Sequence, residues 1–321
     1  MGKIFLTGGT GFIGRHVVER LLGSPGLELT ILTRQEIAST DLVTYVRGDL
    51  DDRDLLKQCI TDSDYVFHLA GCKKDPLSFT ATNVGGTKNI LAACQASGVK
   101  KLIYLSSVGV VGATEDLRIS ENSSCCPLND YEKSKYAAEN FVRDFAKSFG
   151  GETYILRPSN VFGENDPELH LLNLIRKIKS NKFMFVGNDT SEFFLNYVYV
   201  KEISEVSFEM MNEGSGGGIY IVNTPTLLSE FICEIQDLIG NSAKFKHLPY
   251  WPLKVVAKAF DLVPKRILDP PPINSLKFNE LTCRKVYMAE ALKKNMGWEP
   301  KYTMREALRN LIDHYREVDL L

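Results

Sequence analysis

TGGTGFIG, residues 7–14, joins the apolar run KIFL to an amphipathic segment that begins near Phe12. Gly8, Gly11 and Gly14 recur every third residue at this strand-to-helix junction. Each glycine has a distinct use: Gly8 permits a tight turn, Gly11 lets backbone approach a pyrophosphate, and Gly14 lets the helix pack on the strand. The helix N-terminus adds N–H groups and a positive dipole end. A glycine triplet alone is weak evidence, but one that follows a strand and opens a helix has the context of a dinucleotide site.

Working outward, short β-branched runs alternate with amphipathic segments through Gly163. ELTILTR, VTYVRGD, YVFHLAG, KLIYLSS and TYILRPSNVFG read as strands; helices are expected near Asp52–Ile60, across ATNVGGTKNILAACQASG and across DYEKSKYAAENFVRDFAKSFG. This order implies right-handed βαβ units and a parallel sheet, and the nearly continuous apolar strands imply helices on both faces. The rhythm then breaks into a helix at about 169–180, a strandlike KFMFVG, LNYVYVKEISEVSFEMMNEG, a GSGGG turn and a Pro-rich break, LDPPPINS. The expected fold is α/β: a Rossmann doubly wound parallel sheet plus a smaller, mostly C-terminal α/β substrate lobe. Residues 1–158 with about 190–225 would form the first lobe, and about 159–189 with 226–321 the second.

Composition sets the class. The chain has 321 residues, 44% hydrophobic and 24% charged, with 38 basic against 40 acidic residues and a net charge of -2. Scattered charge of this kind gives no basic field for nucleic acid. The first apolar run is too short for a signal peptide or membrane span, and LPYWPLKVVAKAF is interrupted by Lys254 and Lys258. Seven cysteines, without a C-x-x-C and with Cys125 and Cys126 adjacent, read as free thiols in a reducing cytoplasm. His16, His170, His247 and His314 show no metal-ligand spacing, and no metal is expected; His68, inside a strand, reads as a packed residue. Asp51 and Asp52 read as helix-capping acids.

Tyr131 and Lys135 in YEKSK lie four residues apart, about one helical turn, and share a face. Alone they read as a solvated polar pair. With the glycine loop and with Ser107 at the end of KLIYLSS they read as chemistry: a cation beside a phenol lowers its pKa toward neutrality, and Lys135 together with an oxidised nicotinamide would do this. Ser107 would hydrogen-bond the substrate oxygen while Tyr131 exchanges its proton. Thr33 and Arg34 stand where NAD sites usually carry an acid for the ribose 2'-hydroxyl, which favours NADP(H), with NAD(H) as the alternative.

TGGTGFIG, GDL, HLAG, NVGGT, YLSS, YEKSK and LRPSNVFG, in that order, resemble the extended short-chain dehydrogenase/reductases, or NAD-dependent epimerase/dehydratase family, over essentially the whole chain. Within it the pattern is most similar to the branch of dihydroflavonol reductases and 3β-hydroxysteroid dehydrogenases. The resemblance implies a catalytic set of Ser107, Tyr131 and Lys135 with Asn83 as a structural and proton-relay residue. It implies a cofactor site of Gly8, Thr10, Gly11, Phe12, Ile13, Gly14, Thr33 and Arg34, with Asp49 and Leu50 at the adenine. Leu69, Ala70, Gly71 and Lys73 would follow the diphosphate and nicotinamide ribose, joined by Tyr131, Lys135 and Pro158. Substrate would meet Ser107, Val108, Tyr131, Ser159 and Asn160. It also implies a homodimer through a four-helix interface of the segments around 83–97 and 131–148.

Three departures narrow the branch. The family's 4,6-dehydratases carry Asp-Glu directly after the active-site hydroxyl residue, whereas Val108 and Gly109 follow Ser107. Its nucleotide-sugar epimerases commonly carry an arginine where Leu195 stands, and loss of that diphosphate contact argues against a nucleotide sugar. WPLKVVAKAF reads as a core-packed helix with Leu253, Val256, Ala257 and Phe260 on one side. These point to an NADPH-dependent reductase of a hydrophobic small-molecule ketone. The alternatives are a nucleotide-sugar 4-epimerase or reductase with tightly bound NAD, its phosphates met by residues such as Lys177 or Arg284, and a non-catalytic dinucleotide sensor.

Overall fold

Seven strands form one parallel sheet: β1 (Gly2–Thr7), β2 (Leu27–Thr33), β3 (Val43–Arg47), β4 (Tyr65–His68), β5 (Lys101–Leu105), β7 (Glu152–Pro158) and β12 (Gly218–Val222). The structure, a computed structural model, describes residues 2–262 and 273–321. Part of the Pro-rich break expected from the sequence lies outside those residues. The short strands are β6 (Arg118–Ile119), β8 (Asn160–Phe162), β9 (Met184–Val186), β10 (Phe194–Leu195), β11 (Tyr197–Tyr199), β13 (Thr226–Leu227), β14 (Lys246–Leu248) and β15 (Val286–Tyr287), paired two by two.

The order across the sheet is β12-β7-β5-β4-β1-β2-β3. Connections from β1 run one way and those from β4 run the other, so the topological switch lies between these two strands, where open α/β sheets bind ligands. Helices α1 (Phe12–Leu22) and α6 (Val200–Asn212) cover one face, where Val17, Leu21, Ile203 and Met210 meet the strands. Helices α2 (Arg53–Thr61), α3 (Thr87–Gln95) and α4 (Asp130–Ala146) cover the other through Leu56, Ile90 and Val142. Burying each such side chain is worth about 1.5–3 kcal/mol. That explains why a strand set apolar on both sides is stable only with helices on both faces.

Helix α10 (Glu290–Met296) packs on the sheet through Leu292, and a second apolar cluster gathers α5 (His170–Lys179), α7 (Leu228–Ile239) and α11 (Met304–Glu317) near β8–β11 and β13. Its core runs through Leu172, Ile175, Phe231, Ile235, Leu308 and Leu311. On its flank α8 (Tyr250–Asp261) meets α9 (Ser275–Leu281), with Ala257, Phe278 and Val186 buried together. The expectation of a wholly core-packed helix holds on that side only, because Val256 points outward.

The helix expected from Ala81 is wound differently at its start. Phe79–Gly86 forms a π-helix before α3 begins. Gly86 lies against the Leu50 side chain, where an added Cβ would come within 2.6 Å of it. Wide turns of this kind recur at functional sites, and this one turns Asn83 into the interior.

Glu202 joins α6 to the entry of α11 and carries a pH dependence. It is buried; one carboxylate oxygen accepts from the Tyr302 N–H at 2.7 Å and the other has no hydrogen-bond partner. Burial pushes its pKa up to about 7, with Glu205 adding to the rise and Lys301 opposing it. The folded pKa lies above the unfolded value, so the stabilisation is complete below about pH 4.5 and is lost as pH rises through 7. Urea unfolding at pH 5 and pH 8 is expected to show a fall of roughly 3 kcal/mol from this group, and Glu202→Gln should remove that part of the slope.

Candidate active site

The turn after β1 is built as the glycine spacing requires. Gly8 has φ +77°, and a Cβ there would fall 2.6 Å from the Ala70 nitrogen at the exit of β4. At Gly14 a Cβ would stand 2.0 Å from the Gly8 carbonyl oxygen. Gly11 caps α1 without a side chain, and the first turn holds no acid, so its N–H groups face outward with no competing carboxylate. Arg15 in the same turn donates to the Thr10 carbonyl at 3.3 Å. Phe12 and Ile13 lean toward the second lobe, and His16 bonds the Glu164 carbonyl at 3.0 Å. This cradle fits a dinucleotide diphosphate. Gly14→Ala is expected to weaken NADH binding at least about tenfold, because backbone must shift to admit the methyl; titration calorimetry with a circular dichroism check measures it.

Other residues named for the cofactor are distributed around this turn. Thr33 is buried and accepts from the Gln35 N–H, while Arg34 is exposed at the end of β2. Asp49 is exposed after β3 and accepts from the Leu50 N–H; Leu50 itself packs in the core. Leu69 is buried and Ala70 half-buried across the switch point, and Pro158 is buried at the end of β7. Lys73 reaches out of the turn and pairs with Glu168 at 3.2 Å. His170 also bonds Glu168, so this carboxylate links the β4 exit to the start of α5.

Opposite the glycine turn, Asn129 and Glu132 form a capping box that starts α4 and sets Tyr131 in its first turn. The Tyr131 ring meets Phe79 edge-on, centroids 5.8 Å apart. One turn on, Lys135 is buried; its Nζ donates to the Leu105 carbonyl at 2.6 Å and lies 4.6 Å from the centre of the Tyr104 ring. Nζ also lies beside Gly71, 3.8 Å from where its Cβ would be. Ser107 follows β5, and its Oγ accepts from the Gly109 N–H at 3.1 Å while Val108 beside it is buried. Asn83 clamps the Cys72 backbone with two bonds, accepting at 2.7 Å and donating at 2.9 Å, and donates to Ser134 at 2.9 Å.

Lys135 alone does not bring the Tyr131 phenol down: burial, then Glu132, Cys72 and Glu168, push it up to about 12. Burial lowers Lys135 to about 8, with Glu139 opposing the shift. A phenolate here therefore needs a further positive charge beside it.

The second lobe's predicted contacts divide. Ser159 is buried and donates to Asn223 at 2.7 Å, so its hydroxyl serves a network with Asn196, whereas Asn160 is exposed. His68 is a packed residue, held between Thr7 at 2.7 Å and Thr87 at 3.0 Å and lowered to about 3 by burial, hence neutral. Among the described residues no cluster suits a metal ion, and all seven cysteines are free.

The sequence did not reveal the buried charge behind this site. Glu139 and Arg157 are both 0% exposed and pair at 2.6 Å. The same carboxylate accepts from Ser106 at 2.7 Å, and Arg157 also reaches the Glu121 carbonyl and the Cys125 sulfur. Glu139 is four residues beyond Lys135 on the buried face of α4, the one sequence signal that pointed to it.

The family model described as the NAD dependent epimerase/dehydratase family matches residues 4–222. The chain belongs to that family. Over 97% of this chain and 95% of its own length, N-acetyl-α-D-glucosaminyl-diphospho-ditrans,octacis-undecaprenol 4-epimerase of Escherichia coli O157:H7 is 28% identical to it. Human sterol-4-alpha-carboxylate 3-dehydrogenase, decarboxylating, is also 28% identical, over 97% of this chain and 87% of that protein. Among solved structures, UDP-glucuronic acid 4-epimerase of Bacillus cereus, in complex with NAD, superposes with a TM-score of 0.74 at 18% identity, covering 98% and 99% of the two chains. This family member is thus an enzyme of the oxidoreductase and epimerase kind, with the Rossmann-like α/β fold of its structural neighbours.

Proposed function

We propose that the protein is a 4-epimerase of a hexose carried on a diphosphate, working with NAD(H) retained through the catalytic cycle. The observation that carries this reading is the composition of the site: one hydroxyl, one phenol and one ammonium, with Val108 and Gly109 in place of a further acid pair. Such a set serves oxidation and reduction at a single carbinol and offers nothing to strip a proton from a neighbouring carbon.

Tyr131 takes the proton of the substrate hydroxyl and later returns it, Ser107 holds the oxygen by a hydrogen bond, and Lys135 supplies positive charge beneath. A nicotinamide bound between the glycine turn and Lys135 would supply hydride chemistry at that carbon and, in its oxidised form, the positive charge that the Tyr131 phenolate needs. A ketone that turned over in the site would be reduced on its other face, with net oxidation zero.

The diphosphate of this reading bears a lipid in place of a nucleoside and is met by a cation other than the usual arginine. Leu195 stands where a nucleotide-sugar arginine is usual, and the E. coli relative is named for a sugar diphosphate on a polyprenol. Exposed Arg34 favours the other reading, an NADPH-dependent ketone reductase.

The test is to denature the purified protein, identify any released dinucleotide, and incubate native enzyme with UDP-N-acetylglucosamine and with the polyprenyl diphosphate conjugate. The expected result is co-purified NAD(H) and a galacto-configured product without net change in absorbance at 340 nm. Stoichiometric consumption of added NADPH by a hydrophobic ketone, with no epimer formed, would overturn the reading.

A further inference from the structure

We propose that the outer face of α8 docks the protein on an anionic bilayer surface. Trp251, Val255 and Leu262 are 70%, 66% and 85% exposed. At about 3.6 residues per turn these three and Lys254 and Lys258 fall within an arc of roughly 100°. The opposite side of the helix carries Leu253 and Ala257, which pack toward Phe278 and Val186. Thus α8 has two apolar faces, and its core uses one.

Charge selects the occupant. Lys258 is exposed and Lys254 lies over the Trp251 and Tyr250 rings, 5.3 and 5.8 Å from their centres. The helix's one acid, Asp261, lies at the edge of the stripe and accepts from the Ser275 N–H at 3.1 Å. In a two-fold contact with another copy, lysines set among the apolar side chains would confront lysines. Against a bilayer the same pattern is matched: apolar side chains and an amphipathic indole enter the boundary while ammonium groups meet phosphates. The docking argument stands on this face alone. Its link to a lipid-borne sugar diphosphate, which would be presented at such a surface, rests on the proposed function.

The chain contains two tryptophans, and Trp298 is only 4% exposed, so fluorescence changes at a surface report Trp251. Full-length protein mixed with phosphatidylcholine vesicles containing phosphatidylglycerol is expected to co-sediment. Its emission should shift to the blue and be quenched by brominated acyl chains, with much weaker effects on pure phosphatidylcholine. Val255→Asp with Leu262→Ser, and separately Lys254→Glu with Lys258→Glu, should each weaken sedimentation at least about tenfold, while NADH affinity is unchanged. No binding to anionic vesicles, equal binding by the variants, or a concentration-dependent dimer abolished by Val255→Asp would overturn the proposal. Epimerisation without vesicle binding sinks only the docking; vesicle binding without epimerisation sinks only the proposed function.

Discussion

Replacing Tyr131 by phenylalanine is expected to lower kcat by about 10²–10⁴-fold, the range for removal of a positioned acid–base group. The substitution is well suited to the question. The ring keeps its edge contact with Phe79 and the backbone carbonyl keeps its bond from Ser134, so stability should stay within about 0.5 kcal/mol. NADH affinity should be largely retained, since the diphosphate cradle lies at the opposite turn. Steady-state turnover beside calorimetric titration separates the effects, and full activity in the variant would rule out Tyr131 as the proton carrier. Lys135→Ala should also abolish turnover, with a structural cost besides, because the Leu105 carbonyl loses its donor.

Breaking the Glu139–Arg157 pair is expected to be the most damaging single change to stability. Glu139→Gln leaves a fully buried guanidinium without its counter-charge and weakens the bond from Ser106. Removing one partner of such a pair costs about 3–5 kcal/mol, whereas replacing both by apolar residues of similar volume is often near neutral. Urea midpoints should therefore fall steeply for Glu139→Gln and for Arg157→Met, and recover much of the loss in Glu139→Leu combined with Arg157→Met. Additive losses in the double variant would show that the pair does not act as a unit. Ser106 adjoins Ser107, so the single variants should also lose turnover.

The site's halves were unequally legible, and locality explains the difference. The glycine turn is a local motif whose steric demands are written in consecutive residues, and the alternation of apolar runs carried the parallel sheet. Tyr131 and Lys135 could be placed on one face because the helical period is fixed. Glu168 could not be placed beside Lys73, because that pairing joins two loops distant in sequence with no periodicity in either. The upward pull on the Tyr131 phenol in the chain alone was not legible, because it depends on burial and on acids brought near by folding, neither of which spacing encodes. Helix α8 shows the same limit: its period grouped Val256 with Leu253 and Ala257, and only packing decided which of them faced inward.

The interrupted course of the sheet bears on how the chain is made. β12 pairs with β7 along five residues, yet some sixty residues, α5 and α6 among them, intervene. During synthesis the edge of β7 emerges well before its neighbour, offering a row of unpaired backbone groups on a strongly apolar strand. A fragment cut after Pro158 keeps the nucleotide-binding turn but leaves that edge open, so it would tend to aggregate instead of serving as a free-standing domain. The segment between the two strands, from β8 to α6, must fold in time to bring the closing strand home.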